Sequence, residues 1–218
     1  MNAPFYYSFK ENNFWLSPGR TIFWEEKKAL IVSDLHFGKT GHFRKSGIAV
    51  PQNIFKEDIQ RLMDQLSYFK AEQLIVVGDL FHSESNKELD LFLKWRKDFS
   101  SLQIHLIKGN HDILKNEWYE NANMIVYEHE LIIQNISFIH DIQDAEEKQE
   151  LYYISGHIHP GISIKGAGKQ NLRFPCFYFG ERYAVLPAFS KFTGFHAIEL
   201  KRNETAFTIV ENAIVPIQ

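Results

Sequence analysis

Cysteine is almost missing from this chain: Cys176 stands alone, so no intramolecular disulfide can form, and a reducing compartment suits the fold. Long apolar runs are missing too. No stretch reaches the roughly 18 apolar residues of a membrane-spanning helix, and Met1 to Lys10 has no basic stretch followed by an apolar one. Membrane insertion and export are therefore not expected, and the cytoplasm is the expected location. Nor is there an excess of positive charge. Lys and Arg number 24 against 27 Asp and Glu, a net charge of −3 with a pI near 6.4, which argues against binding duplex nucleic acid mainly by bulk charge and leaves a local basic patch open. Internal repeats and linker-like stretches are absent. What is there is ordinary globular composition, 218 residues with 44% hydrophobic and 23% charged, expected to form one domain over residues 1–218.

The first thirty-odd residues alternate aromatic and polar positions, Phe5 to Phe9, Phe14 to Leu16 and Thr21 to Trp24, broken at Asn12-Asn13 and Pro18-Gly19. They read as short antiparallel strands joined by turns. A buried strand, Ala29 to Ser33, follows. After Pro51, apolar residues Ile54, Phe55, Ile59, Leu62, Met63, Leu66 and Phe69 recur at spacings of three and four, the pattern of an amphipathic helix with proline near its start. Leu74 to Val77 reads as a second buried strand. Ser85 with Glu88 has capping-box spacing ahead of Leu89, Phe92, Leu93 and Trp95, which predicts a helix to about Phe99; a third strand is Gln103 to Ile107. This alternation is the grammar of an α/β layer. Beyond Met124 the runs are short and mostly β, from Met124 to Val126 through Phe207 to Val210, and are expected to form a second sheet. Asp141 to Glu150 reads as a solvated loop or short helix.

Polar residues cluster where these strands end, the position at which loops of an α/β sheet converge on one crevice. Ala29 to Ser33 runs into Asp34-Leu35-His36; Leu74 to Val77 into Gly78-Asp79-Leu80-Phe81-His82; Gln103 to Ile107 into Lys108-Gly109-Asn110-His111-Asp112. Ile136 to Ile139 leads to His140-Asp141, and Tyr152 to Ser155 to Gly156-His157-Ile158-His159. Asp34 and His36 alternate, as do His157 and His159, so on an extended chain each pair would face one side. Glycines 78, 109 and 156 suit turns where backbone passes close to an ion or phosphate. Asp, Asn and His without Cys make a nitrogen and oxygen donor set fitting Mn, Fe or Zn better than a thiolate zinc site. The donors suffice for two ions, and an ion pair sharing a carboxylate suits phosphoester hydrolysis.

The ordered set Asp34-x-His36, Gly78-Asp79-x-x-His82, Gly109-Asn110-His111-Asp112, His140 and Gly156-His157-x-His159 resembles the calcineurin-like metallophosphoesterases. Within them the chain is similar to the bacterial ligase-associated metallophosphoesterases, through Ser33-Asp34-Leu35-His36-Phe37-Gly38-Lys39, Phe43-Arg44, Phe81-His82-Ser83 and Phe174-Pro175-Cys176-Phe177, and through Leu186-Pro187-Ala188-Phe189 and Phe192-Thr193-Gly194. The resemblance implies a four-layer αββα sandwich, two mixed sheets flanked by helices. It implies one ion on Asp34, His36, Asp79 and His159, with Asp79 bridging to a second on Asn110, His140 and His157. His111 would lie by the substrate phosphate, oriented by Asp112, and a metal-bridging hydroxide would attack phosphorus. Many relatives have Asp or Asn where this chain has His82, which is expected to touch substrate or support the ligands. Two divalent ions are implied, Mn first, then Zn or Fe. The substrate implied is a phosphodiester, in DNA during repair, with a DNA ligase or helicase as partner.

Bland readings compete at several positions. Asn110 can be a turn asparagine and Pro160-Gly161 a turn beside two ordinary histidines. His105 sits inside an alternating strand and reads as a sheet residue; His129 and His196 lack motif context, and Cys176 reads as a small buried hydrophobe. Lys39 to Lys45, with Lys39 and Arg44, mixes basic and aromatic groups as a phosphate or single-strand contact would, or is a solvated loop. Lys165, Lys169 and Arg173 fit a hairpin better than a second basic lip. Two alternative functions stay open: hydrolysis of a small nucleotide or pyrophosphate-linked phosphoester, and a non-catalytic scaffold for repair partners.

Overall fold

A computed structural model describes residues 3–39, 54–82, 87–146, 148, 150–165 and 171–218. Arg44 and the rest of the loop after Lys39, Pro51, the capping Ser85, and Gly166, Gly168 and Lys169 lie outside the described residues. Two sheets stack face to face. The first contains β1 (Phe5–Phe9), β2 (Asn12–Ser17), β3 (Thr21–Trp24), β4 (Ala29–Val32), β5 (Gln73–Val77), β6 (Gln103–Ile107) and β7 (Met124–Tyr127), in that spatial order. Its first four strands are an antiparallel meander, and β4 to β7 run parallel. Between the parallel strands come α1 (Ile54–Phe69), α2 (Lys87–Asp98) and α3 (Asn116–Asn121).

The second sheet contains β8 (Glu130–Ile133), β9 (Ile136–Ile139), β10 (Tyr152–Ser155), β11 (Pro160–Lys165), β12 (Asn171–Phe179), β13 (Tyr183–Val185), β14 (His196–Ala197), β15 (Thr205–Val210) and β16 (Ala213–Ile217). Its centre, β9, β10 and β13, is parallel. β11 and β12 pair antiparallel, the hairpin the sequence favours.

Side-chain alternation sorts the core into layers. Leu30, Val32, Leu74, Val76, Ile104 and Leu106 face the helices, meeting Phe55, Leu62 and Leu66 of α1, Phe92 and Trp95 of α2, and Tyr119 of α3. The opposite faces of the same strands bury Ala29, Ile31, Ile75, Val77 and Ile107 against Phe138, Ile154, Phe177 and Phe207 of the second sheet. Strands buried on both faces explain the near-continuous apolar runs in the sequence. The expected two-sheet α/β sandwich is what forms, with its helices unevenly placed. Among the described residues all three α-helices cover the first sheet, whereas the far side of the second carries the small cluster of Ile162, Cys176 and Ala206, packed by Ile198 and Leu200. Cys176 is fully buried there, and burial pushes its thiol up to about 12. No described helix is long and apolar enough to cross a membrane.

Two expectations are corrected. Met124–Tyr127 belongs to the first sheet, parallel to β6, because six-residue α3 returns the chain after β6; so short a helix leaves almost no periodic signal. Pro160-Gly161 opens β11 rather than making a turn. Proline is tolerated as a strand's first residue, where its missing N–H costs no ladder bond.

Candidate metal centre

The carboxyl ends of β4, β5 and β6 in one sheet and of β9 and β10 in the other meet at one edge. Backbone bonds lock the segments that leave them. Asp34 N–H donates to Gly78 O (3.1 Å), His36 N–H to Asp79 O (2.8 Å) and Gly156 N–H to His140 O (3.0 Å). His157 N–H crosses between the sheets to Asp34 Oδ2 at 3.1 Å. Extended alternation is not what aims the paired side chains. Asp34, His36, Asp79, His157 and His159 all have left-handed backbone, with φ of 53°, 50°, 52°, 64° and 53°. Non-glycine residues adopt this region at a cost of order 1 kcal/mol or more each, and here the strain falls on the candidate ligands.

Two groups of donors result. Asp34, His36 and His159 form one, Asp79, His140 and His157 the other, and within each the donor atoms lie within 4.8 Å of one another. His159 Nε2 stands 3.1 Å from Asp34 Oδ1, and His36 Nδ1 3.9 Å from Asp79 Oδ2. In the second group His140 Nε2 is 3.6 Å from Asp79 Oδ1, 3.1 Å from His157 Nδ1 and 3.1 Å from Asn110 Oδ1. The Asp79 carboxylate thus lies between the groups, and Asn110 joins the second.

The outward ring nitrogens face oxygen acceptors: His140 Nδ1 the carbonyl of Val77 (3.3 Å), His159 Nδ1 that of Gly194 (3.3 Å), and His157 Nε2 the Asp141 carboxylate (3.6 Å). A proton on each nitrogen that bonds a carbonyl leaves His140 Nε2 and His159 Nε2 as lone pairs pointing inward, whereas Asp141 stands beyond hydrogen-bond reach of His157. Asp141 was not singled out as a site residue by the sequence; its adjacency to His140 was the only signal.

Electrostatics suit a cation. Burial, with Lys39 and other imidazoles nearby, drives His36 down to about 2, outweighing Asp34, so this ring is neutral. Burial alone would raise the Asp34 carboxyl; the His159 ring facing it at 3.1 Å, with His140 beyond, more than offsets this and holds Asp34 below its ordinary range. Asp79 ends above that range, because burial and the Asp34 carboxylate outweigh His140 and the His111 N–H. Asp34 Oδ1, both His36 ring nitrogens and His159 Nε2 are buried without a hydrogen-bond partner. Buried polar atoms left unpaired are costly, and these converge within one ligand group. Nitrogen and oxygen donors without thiolate fit divalent Mn, Fe or Zn.

The glycines make room for the ligands themselves. A Cβ at Gly78, whose φ is 79°, would lie 1.9 Å from His140 Nδ1; at Gly109, 2.2 Å from Asp79 Oδ1; at Gly156, 2.6 Å from Asp34 Oδ2. Gly109→Ala is therefore expected to displace the Asp79 carboxylate, lowering the melting temperature by the equivalent of about 1–3 kcal/mol and reducing bound metal. Calorimetry and elemental analysis check both; an unchanged metal content would mean that the loop yields instead.

On the open side, the His111 side chain is 40% exposed, with Nε2 4.0 Å from Asp79 Oδ2. Its backbone N–H donates to Asp79 Oδ1 at 2.9 Å. The His82 ring packs on the His111 ring with centroids 4.1 Å apart, and Lys39 is near enough for the charges of Asp79 and Asp34 to act on it, although burial still lowers its ammonium. The orienting bond expected from Asp112 to His111 is replaced by another arrangement. Asp112 accepts from Gly109 N–H (2.9 Å) and Phe81 N–H (3.0 Å), pinning the loop after β6 to the loop after β5; burial carries its carboxyl up to about 7. Asp112→Asn turns an NH2 group toward one of these N–H donors, and a loss of about 1–3 kcal/mol is expected, measured by denaturant unfolding. His105 takes no part in either group and bonds Tyr127 Oη at 3.0 Å.

Two Asp and His ligand groups at the carboxyl edge of a two-sheet sandwich, buried at the aspartates and opening to solvent at His157, whose side chain is 42% exposed, are the site of a metal-dependent phosphoester hydrolase. Residues 27–180 match the calcineurin-like phosphoesterase family, and the chain belongs to it. No curated protein sequence matches. Among solved structures the chain is similar to the Pseudomonas putida nuclease MPE, 25% identical, covering 98% of this chain and 100% of that one with a TM-score of 0.84. A protein of unknown function from Aquifex aeolicus is 17% identical over 60% of this chain and 78% of its own, with a TM-score of 0.44.

Proposed function

We propose that the chain cleaves phosphodiester bonds in a nucleic acid, with DNA under repair in the cytoplasm as the setting, using two divalent ions of which Mn is the preferred kind. The observation that carries this is the pair of adjoining ligand groups with the Asp79 carboxylate between them. Likeness over the full length to a Pseudomonas putida nuclease supports the substrate class. Asp34, His36 and His159 would hold one ion, Asn110, His140 and His157 the other, with Asp79 shared. When bound, two such ions activate water and neutralise charge on a phosphoryl group.

The chain's own residues supply the rest. His111, half open to solvent and fixed through its backbone to Asp79, donates a proton from its ring to the departing oxygen. His82 packs on that ring and limits its rotamers. Lys39, close enough for the charges of Asp79 and Asp34 to act on it, attracts the phosphate. Asp112 and Gly109 keep the loop bearing Asn110 and His111 against Asp79.

The test is a substrate panel of nitrophenyl monoester, nitrophenyl diester, a dinucleotide pyrophosphate, and single- and double-stranded DNA, each with Mn, Zn, Fe and Mg. Turnover of the diester and of DNA above the monoester and the pyrophosphate is expected. Preference for the pyrophosphate would replace the nuclease reading by small-molecule hydrolysis, and no turnover of any substrate would favour the scaffold.

A further inference from the structure

Residues 187–194, which follow β13, contain the two motif pieces that the proposed mechanism leaves without a task. They leave the second sheet and cross to the first. Leu186 N–H still bonds Ser155 O in the second sheet (2.8 Å), Phe189 N–H donates to Ser33 O (2.8 Å), and Ser190 N–H donates to the backbone oxygen of Asp34 (3.2 Å). Further on, Gly194 O faces His159 Nδ1 at 3.3 Å. One strap therefore touches both Asp34 and His159, whose facing atoms are 3.1 Å apart although they come from different sheets.

With the N–H groups of Phe189 and Ser190 turned to the residues just past β4, the strap leaves consecutive carbonyls with no ladder partner, and such groups need donors. Two arginines supply most of them, and Thr193 Oγ1 adds a bond of 3.1 Å to Ser190 O. Arg20, in the turn between β2 and β3, donates through Nη1 to Ala188 O (3.0 Å) and Ser190 O (2.8 Å). Arg61 of α1 donates to Phe189 O and lies over the buried Phe189 ring, 4.2 Å from its centroid. Asp58, one turn earlier on α1, pairs with Arg61 at 2.8 Å and acts more weakly on Arg20, so one carboxylate offsets part of the charge of the two guanidiniums.

We infer that Arg20 is a positioning residue for the first ion: by gripping Ala188 and Ser190 it holds the strap that sets Asp34 and His159 at coordinating distance across the two sheets. This rests on the reading that Asp34, His36 and His159 hold an ion. The experiment measures Mn affinity by titration calorimetry in two backgrounds, His140→Ala, which keeps the first group, and His159→Ala, which keeps the second. In the His140→Ala background, Arg20→Met is expected to weaken Mn binding about 10- to 100-fold, the range for groups that orient ligands from behind. In the His159→Ala background it is expected to leave binding unchanged. Arg20→Lys, which keeps a donor and the charge without the planar fork, is expected to fall between wild type and Arg20→Met in the first background only.

Equal weakening in both backgrounds, or in neither, overturns the inference, since a general loss of stability has no reason to choose one ion. Should Arg20→Met not fold, the lysine variant decides by the same comparison. If neither histidine variant loses an ion, the two-ion reading itself is wrong and the inference goes with it.

Discussion

Asp79→Asn is expected to abolish turnover while leaving the apo protein as stable as wild type or more so. The Asp79 side chain is 3% exposed, lies near the Asp34 carboxylate, and is raised above its ordinary range by burial, so the fold disfavours its charge. Asparagine keeps the shape and keeps an oxygen to accept the His111 N–H that now bonds Oδ1 at 2.9 Å. Removing the charge thus relieves the metal-free protein. The same change removes the carboxylate between the two ligand groups, and loss of even several kcal/mol of charge stabilisation on phosphorus corresponds to about 10³-fold or more in rate. Melting temperature in EDTA, Mn content and diester turnover would be measured together. A variant with reduced stability but normal turnover would make Asp79 a structural carboxylate. A site that costs stability for function is what a stability–activity trade-off looks like in one residue.

His111→Ala is expected to retain bound metal and to lower kcat about 10²- to 10⁴-fold, the usual range for a general acid, with little change in KM. No atom of its ring belongs to either ligand group, and its tie to Asp79 runs through the backbone N–H, which alanine keeps. The choice of substrate sharpens the test. Nitrophenolate departs without help, whereas a sugar alkoxide needs a proton, so the defect should be markedly larger on DNA than on the nitrophenyl diester. Equal defects on both would assign His111 to holding the phosphate, and lost metal would assign it to the ligand set.

Much of this arrangement is legible in the sequence. Strands buried on both faces appear as apolar runs that stop abruptly, so Val32 giving way to Ser33-Asp34, or Ile139 to His140, marks a strand end directly. The parts that escaped lack such a signature. α3 spans six residues and β14 two, below the length at which periodicity speaks, and without α3 the run from Met124 reads as part of the second sheet. The left-handed backbone at Asp34, His36, His157 and His159 was hidden as well, because local preference favours the extended form and only bonds from other segments hold the strained one. Asp112 was assigned to its neighbour His111, whereas its oxygens serve Gly109 and Phe81; a carboxylate's partner is set by what surrounds it, not by what adjoins it.

The order of residues along the chain, by itself, determined which side chains carry the chemistry and that they stand at the ends of strands, since hydrophobic burial writes strands into the pattern residue by residue. The tertiary structure decided how those side chains group, which nitrogen of each imidazole points inward, and what holds the two sheets in register at the centre. Those outcomes rest on bonds such as His157 to Asp34 and Ser190 to Asp34, formed between residues more than a hundred positions apart, and no local pattern encodes a partner at that distance.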